Sequence, residues 1–304
     1  MPGPVFLAIG VFDGVHLGHQ AVIGTAATHA AEGGGTAVVV TFDPHPAKIL
    51  RPNESPRLIT ATQHKIALIR NLGLSHLLVL KFDRAFANTP PDEFVRQLAA
   101  AAQPLREICV GEEWSFGKNR AGNLALLKQL GTKLGFDVVG VQAVRTDNNV
   151  VSSTAIRKAV EAGDFATATK MLGRDYTILG TVEEGKHVGR SLGFPTANLG
   201  AHSEQFPPNG VYAAEGILQG EIVRGVVNLG VRPTVADSSP HRVLEFHLFD
   251  VDRDLYGEEV ELKFLRYLRP EKKFENLAAL RAQIGRDVAE AHRIFAANAK
   301  GVPA

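Results

Sequence analysis

The chain changes texture once, near Tyr176, and that change constrains the fold more than any single motif. Ahead of it, short apolar runs alternate with helical patterns. Pro4 to Gly10 predicts a buried strand, His19 to Ala31 a helix closed by Gly33-Gly34-Gly35, and the Val-rich run Thr36 to Phe42 a second strand. Thr60-Ala-Thr-Gln63 has capping-box spacing and opens an expected helix through Leu72, and His76 to Phe82 reads as a third strand. Thr89-Pro90-Pro91-Asp92 supplies an N-cap, a proline at N1 and a first-turn carboxylate for the next helix. Ile108 to Gly111 and Phe136 to Val144 read as further strands, with a helix around Leu124 to Leu134 between them. Such alternation specifies a parallel sheet covered on both faces.

After Tyr176 no helical pattern interrupts the strands. Tyr176 to Val182, Gly210 to Leu218, Ile222 to Asn228, Val243 to Asp250 and Glu259 to Leu268 are strand-like, which predicts an antiparallel barrel or sandwich. A final helix is expected from Asn276 to Ala297, with Leu277, Leu280, Ile284, Val288, Ala291 and Phe295 along one stripe. A length of 304 residues favours two cores over one. The boundary is placed between Gly163 and Asp175, giving domains 1–170 and 171–304.

Charge narrows the range of partners. The 33 Lys plus Arg against 32 Asp plus Glu leave no excess for a broad nucleic-acid face, though a small phosphate site remains open. The single cysteine, Cys109, excludes an intrachain disulfide and sits in an apolar run where a buried, inert thiol is expected. No apolar stretch reaches the roughly 18 residues of a membrane span, and the N-terminus lacks the basic region of a signal peptide. A cytoplasmic protein is the expectation.

The segment Gly10-Val-Phe-Asp-Gly-Val-His-Leu-Gly-His19 follows the first strand, at the carboxyl end of a sheet where ligands bind. Gly10, Gly14 and Gly18 allow a tight turn and close approach to a ligand, and with Phe12 and Asp13 they are the expected phosphate contacts of this loop. His16 and His19 are three apart, so in a helical first turn they share a face near the anion-attracting N–H groups. Two imidazoles there can donate to a phosphate. A metal-pair reading is the rival, but no third ligand has obvious spacing. Late in the same half, Val151-Ser-Ser-Thr-Ala-Ile-Arg157 opens a helix; Ser152 or Ser153 can cap it, and Ser152, Ser153, Thr154 and Arg157 can equally hold phosphate.

In the second half the loop after Val182 carries Gly185, Lys186, Gly189 and Arg190, able to hold a polyphosphate without matching a Walker A pattern. Pro195-Thr196-Ala197-Asn198 is either a simple turn or a pair of neutral hard ligands, Thr196 and Asn198, suited to Mg²⁺. Along Val243 to Asp250, Leu244, Phe246 and Leu248 face one way and Glu245 and His247 the other. Glu245 is either an ordinary solvated carboxylate or a general base for phosphoryl transfer.

The two-histidine loop and the Ser-Ser-Thr helix start together resemble the nucleotidyltransferase superfamily. With Thr41-Phe-Asp-Pro-His-Pro46, Val110-Gly-Glu-Glu-Trp-Ser-Phe-Gly117 and Arg120-Ala-Gly122, the first half is similar to the FMN adenylyltransferase part of the bacterial bifunctional riboflavin kinase/FAD synthetase family. The PTAN tetrapeptide, Asn209-Gly-Val-Tyr212, the strand bearing Glu245, Asp254-Leu-Tyr-Gly257 and Leu268-Arg-Pro-Glu-Lys-Lys-Phe274 resemble its riboflavin kinase part, in order. Gly225 to Thr234 also matches. The resemblance implies a Rossmann-like nucleotidyltransferase domain followed by a six-stranded Greek-key barrel with a terminal helix. It implies ATP contacts at His16 and His19, a triphosphate hold at Ser152 to Arg157, and Mg²⁺ with ATP at Thr196 and Asn198. Glu245 would activate the ribityl 5′-hydroxyl. The flavin pocket of the first half would lie around Phe42, Pro44, His45, Pro46, Trp114 and Phe116, with His45 read first as a loop histidine fixed by two prolines. Many relatives have Asn where this chain has Val11, and many carry a short leading segment expected to be missing here. The expected partners are riboflavin, FMN and ATP, with no nucleic acid or membrane and room for a weak homo-oligomer. The alternative keeps only the kinase and makes the first half a non-catalytic nucleotide- or flavin-binding module.

Overall fold

The computed structural model describes residues 3–184, 194–202, 205–232, 241–251 and 253–299. They fall into two compact units. Unit 1 holds residues 1–158 and 166–174, and unit 2 holds 159–165 and 175–304. The chain thus passes between units at three points around two short helices.

Unit 1 alternates as its sequence predicts, with two short unpredicted helices, the second and fourth, added: β1 (Val5–Ile9), α1 (Leu17–Glu32), β2 (Thr36–Asp43), α2 (Pro46–Leu50), α3 (Thr62–Asn71), β3 (Leu77–Lys81), α4 (Arg84–Ala87), α5 (Pro91–Ala101), β4 (Leu105–Gly111), α6 (Leu124–Leu134) and β5 (Asp137–Val141). A two-stranded ribbon, β6 (Arg145–Thr146) and β7 (Asn149–Val150), leads to α7 (Ser153–Glu161) and α8 (Phe165–Leu172). The five main strands are parallel in the order β3-β2-β1-β4-β5. All five residues of β1 are buried, as a central strand covered on both faces requires. The chain runs outward from β1 through β2 to β3, then returns to place β4 on the other side of β1. That reversal opens a crevice at the carboxyl ends of β1 and β4.

Two helix starts differ from expectation. Thr60 does not cap α3. Its hydroxyl is buried and accepts the Gly14 N–H at 2.9 Å, and the N-cap, Ala61, makes no side-chain bond. The helix after Thr89 begins one residue later than its spacing suggests, with Pro90 as N-cap and Pro91 at N1, while Asp92 and Glu93 supply the first-turn charge.

Unit 2 is a closed antiparallel barrel of β8 (Thr177–Glu183), β9 (Ala197–Ala201), β10 (Gly210–Leu218), β11 (Glu221–Arg232), β12 (His241–Leu248) and β13 (Glu259–Arg269), in the order β10-β11-β12-β9-β8-β13. β10 to β12 form a meander. β13 returns to lie beside β10, a Greek-key connection. The strand that pattern reading missed is β9. The terminal helix α9 (Leu277–Ala299) is capped by Asn276, whose Oδ1 accepts the Ala279 N–H at 2.8 Å. Ala291, Ile294 and Phe295 of α9 pack on Val211, Ala213 and Val226, whereas Leu277 of the expected stripe stays exposed.

Candidate functional site

In unit 1 the segment leaving β1 folds tightly. The Phe12 ring turns back over Gly10, where a Cβ would meet it at 2.6 Å, and Gly14 has φ of +90°. Both positions therefore need glycine. Phe12 was expected among the phosphate contacts, but its ring is core, packed with Ala8 and Val22 and edge-on to His19 at 5.3 Å. His16 is the N-cap of α1 rather than a first-turn residue, and its Nδ1 accepts the His19 N–H at 3.3 Å. The two imidazoles still meet face to face, with centroids 3.5 Å apart and planes 18° off parallel.

Accepting through Nδ1 leaves the proton of a neutral His16 on Nε2, as a donor. Burial pushes the His16 pKa down to about 4, helped by the Arg174 and Arg157 charges. Burial likewise holds His19 well below its ordinary value, with His16 and Lys65 adding repulsion. Both rings are therefore neutral near pH 7. The His19 Nδ1 atom is buried without a hydrogen-bond partner among the described residues, so a ligand group can complete it.

Because the folded-state pKa of His16 lies below the unfolded one, the unfolded chain binds more protons between about pH 4 and 6.5. Stability from this group is intact above 6.5 and falls as pH drops toward 4, by about 3 kcal/mol in all. Urea unfolding followed through Trp114, the single tryptophan, should show this loss for wild type. His16→Gln should lose less by that amount, and parallel pH curves for the two would refute it.

Asp13 is turned into the protein. Its Oδ1 accepts the N–H groups of Ile59 and Thr60 at 3.0 Å each, and its Oδ2 takes the Arg157 Nη2 at 2.5 Å. Arg157 also donates to the Arg57 carbonyl at 2.7 Å. This ion pair, with Asp13 buried and Arg157 mostly so, commits both charges to holding the loop. The α7 start is brought against the same loop. Ser153 donates to the Asp13 carbonyl at 2.9 Å, while Ser152 accepts the Ala155 N–H at 3.2 Å and caps the helix. Thr154 is exposed beside them.

A cavity of about 840 Å³ opens across the crevice. Phe42, Pro46, Trp114 and Phe116 line it, together with Val11, Phe82, Phe86 and Phe94. Trp114 and Phe116 stack at 4.6 Å, and Phe82 and Phe86 meet Phe42 and each other edge-on or tilted. Such a slot suits a flat aromatic ring. Arg51, Arg84 and Arg120 also line the cavity. Pro44 and His45 are not among the lining residues; His45 caps α2, its Nδ1 accepting the Ala47 N–H at 3.1 Å. Phe82, Phe86 and Phe94 carry no motif and come from just past β3, from α4 and from α5 respectively, so only the fold reveals them.

The three-donor group among the described residues lies elsewhere, toward the amino end of β4. There Glu107 Oε1 meets His29 Nδ1 at 2.7 Å and accepts from the Cys109 thiol at 3.1 Å. Burial, foremost, raises the Cys109 pKa, so the thiol stays protonated.

In unit 2, cross-strand register lines up Glu183 (β8), Asn198 (β9), Glu245 (β12) and Asn228 (β11) as directly opposed neighbours. The adjacent row, Val182, Leu199, Leu244 and Leu229, is core. Period two therefore puts the polar row on the face away from the barrel interior. Asn198 Oδ1 is buried with no partner among the described residues, an orphan suited to a hard cation. Thr196 is exposed two residues earlier. His247 Nδ1 pairs with the Pro195 carbonyl at 2.7 Å and so pins the PTAN segment to β12. Glu271, from the Leu-Arg-Pro-Glu run, accepts from Asn228 at 3.3 Å. Gly185, Lys186, Gly189 and Arg190 lie outside the described residues.

Two stacked imidazoles at a switch-point crevice, and a carboxylate between two amides on a barrel, are residue types that nucleotidyl and phosphoryl transfer use. Sequence comparison agrees. A family model described as FAD synthetase matches residues 2–155, and one described as riboflavin kinase matches 172–295. The bifunctional riboflavin kinase/FMN adenylyltransferase of Bacillus subtilis (strain 168) is 38% identical over 95% of this chain and 92% of its own length. Its namesake in Escherichia coli (strain K12) is 35% identical over 95% and 92%. The chain belongs to the bifunctional riboflavin kinase/FMN adenylyltransferase family. A crystal structure described as a macrolide-efflux protein from Streptococcus pneumoniae superposes with a TM-score of 0.78 at 28% identity, covering 94% of this chain and 93% of that one. Among the described residues here, no helix is long and apolar enough to cross a membrane.

Proposed function

We propose that the chain makes FAD from riboflavin in two ATP-dependent steps, the first in residues 171–304 and the second in residues 1–170. The observation that carries this reading is the pairing of intact chemistry in both units: neutral stacked histidines at the crevice of one, and Glu245 flanked by Asn198 and Asn228 in the other.

In the kinase step the ribityl 5′-oxygen attacks the γ-phosphorus of ATP. Its proton passes to the Glu245 carboxylate, and the bond to the bridging oxygen breaks to release ADP. Thr196 and Asn198 would hold Mg²⁺ beside the phosphates, where it would neutralise their charge. In the adenylyl step a phosphate oxygen of FMN attacks the α-phosphorus, and pyrophosphate leaves. His16 and His19 donate to phosphate oxygens as charge gathers there, and the N-terminal amides of α1 reinforce them. The flavin ring occupies the slot between Phe42, Trp114 and Phe116. Ser152 to Arg157 shape the triphosphate side, with Arg157 acting through Asp13.

The test is a timed chromatographic assay of the full chain with riboflavin, ATP and Mg²⁺. FMN should appear first and then convert to FAD. FMN accumulating without FAD would restrict catalysis to the barrel, and neither product would overturn the reading.

A further inference from the structure

A buried lysine with no place in any motif links the two sides of the unit 1 site. Lys65 lies in α3, 5% exposed, and its Nζ donates to the Val11 carbonyl at 3.2 Å, the Thr41 hydroxyl at 3.0 Å and the Phe42 carbonyl at 3.2 Å. Three acceptors satisfy the three N–H groups of an ammonium. Thr41 in turn donates to the Val11 carbonyl at 3.0 Å. Val11 lies between Gly10 and Phe12 in the histidine loop, Phe42 lies near the end of β2 three residues before His45, and both line the cavity. We infer that Lys65 is a positioning residue for adenylyl transfer, a three-pronged cationic tie that fixes the triphosphate loop against the flavin wall.

This inference rests on the adenylyltransferase reading of that crevice. Its physical basis is that a carbonyl from each loop converges on one charge, and no neutral side chain supplies three donors from one atom. The charged and titratable groups facing Lys65 are Asp13 from the loop after β1, Asp43 and His45 from the segment closing β2, and His19 from α1. Burial lowers the Lys65 pKa to about 8, against the pull of Asp13 and Asp43. A lowered lysine pKa means the charge is present below 8 and is lost above it, so the tie weakens in mildly alkaline solution.

The experiment compares wild type with Lys65→Met in the full chain, measuring kcat/KM for supplied FMN with ATP from pH 6.5 to 9.5. Riboflavin phosphorylation by the same preparation reports that unit 2 is folded. Wild type should exceed Lys65→Met by about 10²-fold at pH 7, and the gap should close by about tenfold per pH unit above 8 as wild type loses its own proton. Lys65→Arg, which keeps its charge, should hold a flat rate through pH 9.5 and covers the case in which Lys65→Met destabilises unit 1. A pH-independent gap would show a purely structural lysine and overturn the proposal. So would a Lys65→Met rate equal to wild type, or an alkaline limb unchanged in Lys65→Arg. Absence of FAD synthesis in wild type would instead overturn the adenylyltransferase reading itself.

Discussion

Glu245→Gln should remove riboflavin phosphorylation while FMN supplied from outside is still converted to FAD. The substitution keeps the size and the hydrogen-bonding reach of the side chain and removes its basicity. Asn198 and Asn228, its opposed neighbours, are amides and cannot take over as proton acceptors. Loss of a general base typically lowers kcat by about 10²–10⁴-fold. Leu244 and Phe246 on the opposite face of β12 are untouched, so the barrel should unfold at the wild-type urea concentration. The two rates, measured separately from riboflavin and from FMN, decide the matter. A kinase rate within tenfold of wild type would mean that Glu245 is an ordinary surface carboxylate.

The complementary variant is His16→Ala with His19→Ala, which should abolish FAD formation and leave FMN formation intact. Removing one preorganised donor costs about 10²–10³ in rate, and two donors on one charge act as a unit rather than adding. The neutral state of both rings sharpens the expectation. A polyanion raises the pKa of an imidazole it touches, so ATP binding should draw a proton toward His16 from a starting value of about 4. Calorimetry in buffers of differing ionisation enthalpy should record that uptake in wild type near pH 5.5 and not in the double variant. FAD synthesis surviving within tenfold, or loss of both activities from a folded chain, would break the division into two sites.

Much of this architecture could be read from residue patterns because most elements keep one period from end to end. Leu124 to Leu134 is helical to the residue, and Gly210 to Leu218 is a strand to the residue. The failures have local causes. Ala197–Ala201 was hidden because PTAN reads as a turn or a ligand pair, and five residues are too few for alternation to show. Thr60 has capping-box spacing, yet Gly14, 46 positions away, claims its hydroxyl. The histidines, the serines at the start of α7, Asn198 and Glu245 were visible as residue types at fixed offsets, whereas Glu183 and Asn228 join their row only through strand register. What spacing could not show is whether a charge is free. Asp13 and Arg157 look like phosphate contacts until the fold pairs them, and Lys65 looks like an ordinary helix-surface lysine until α3 buries it.

The chain's triple passage between units sets a limit on dissection. A fragment ending at residue 158 lacks α8, whose Leu172 carbonyl accepts from Gln20 of α1 at 2.8 Å. One ending at 174 carries off Phe165, whose ring lies parallel to Phe264 at 5.8 Å and to Tyr176 at 6.4 Å. No single scissile point returns both halves whole. Two catalysts that could be listed separately are, as polymer, spliced rather than merely appended, and each lends the other a stretch of its own backbone.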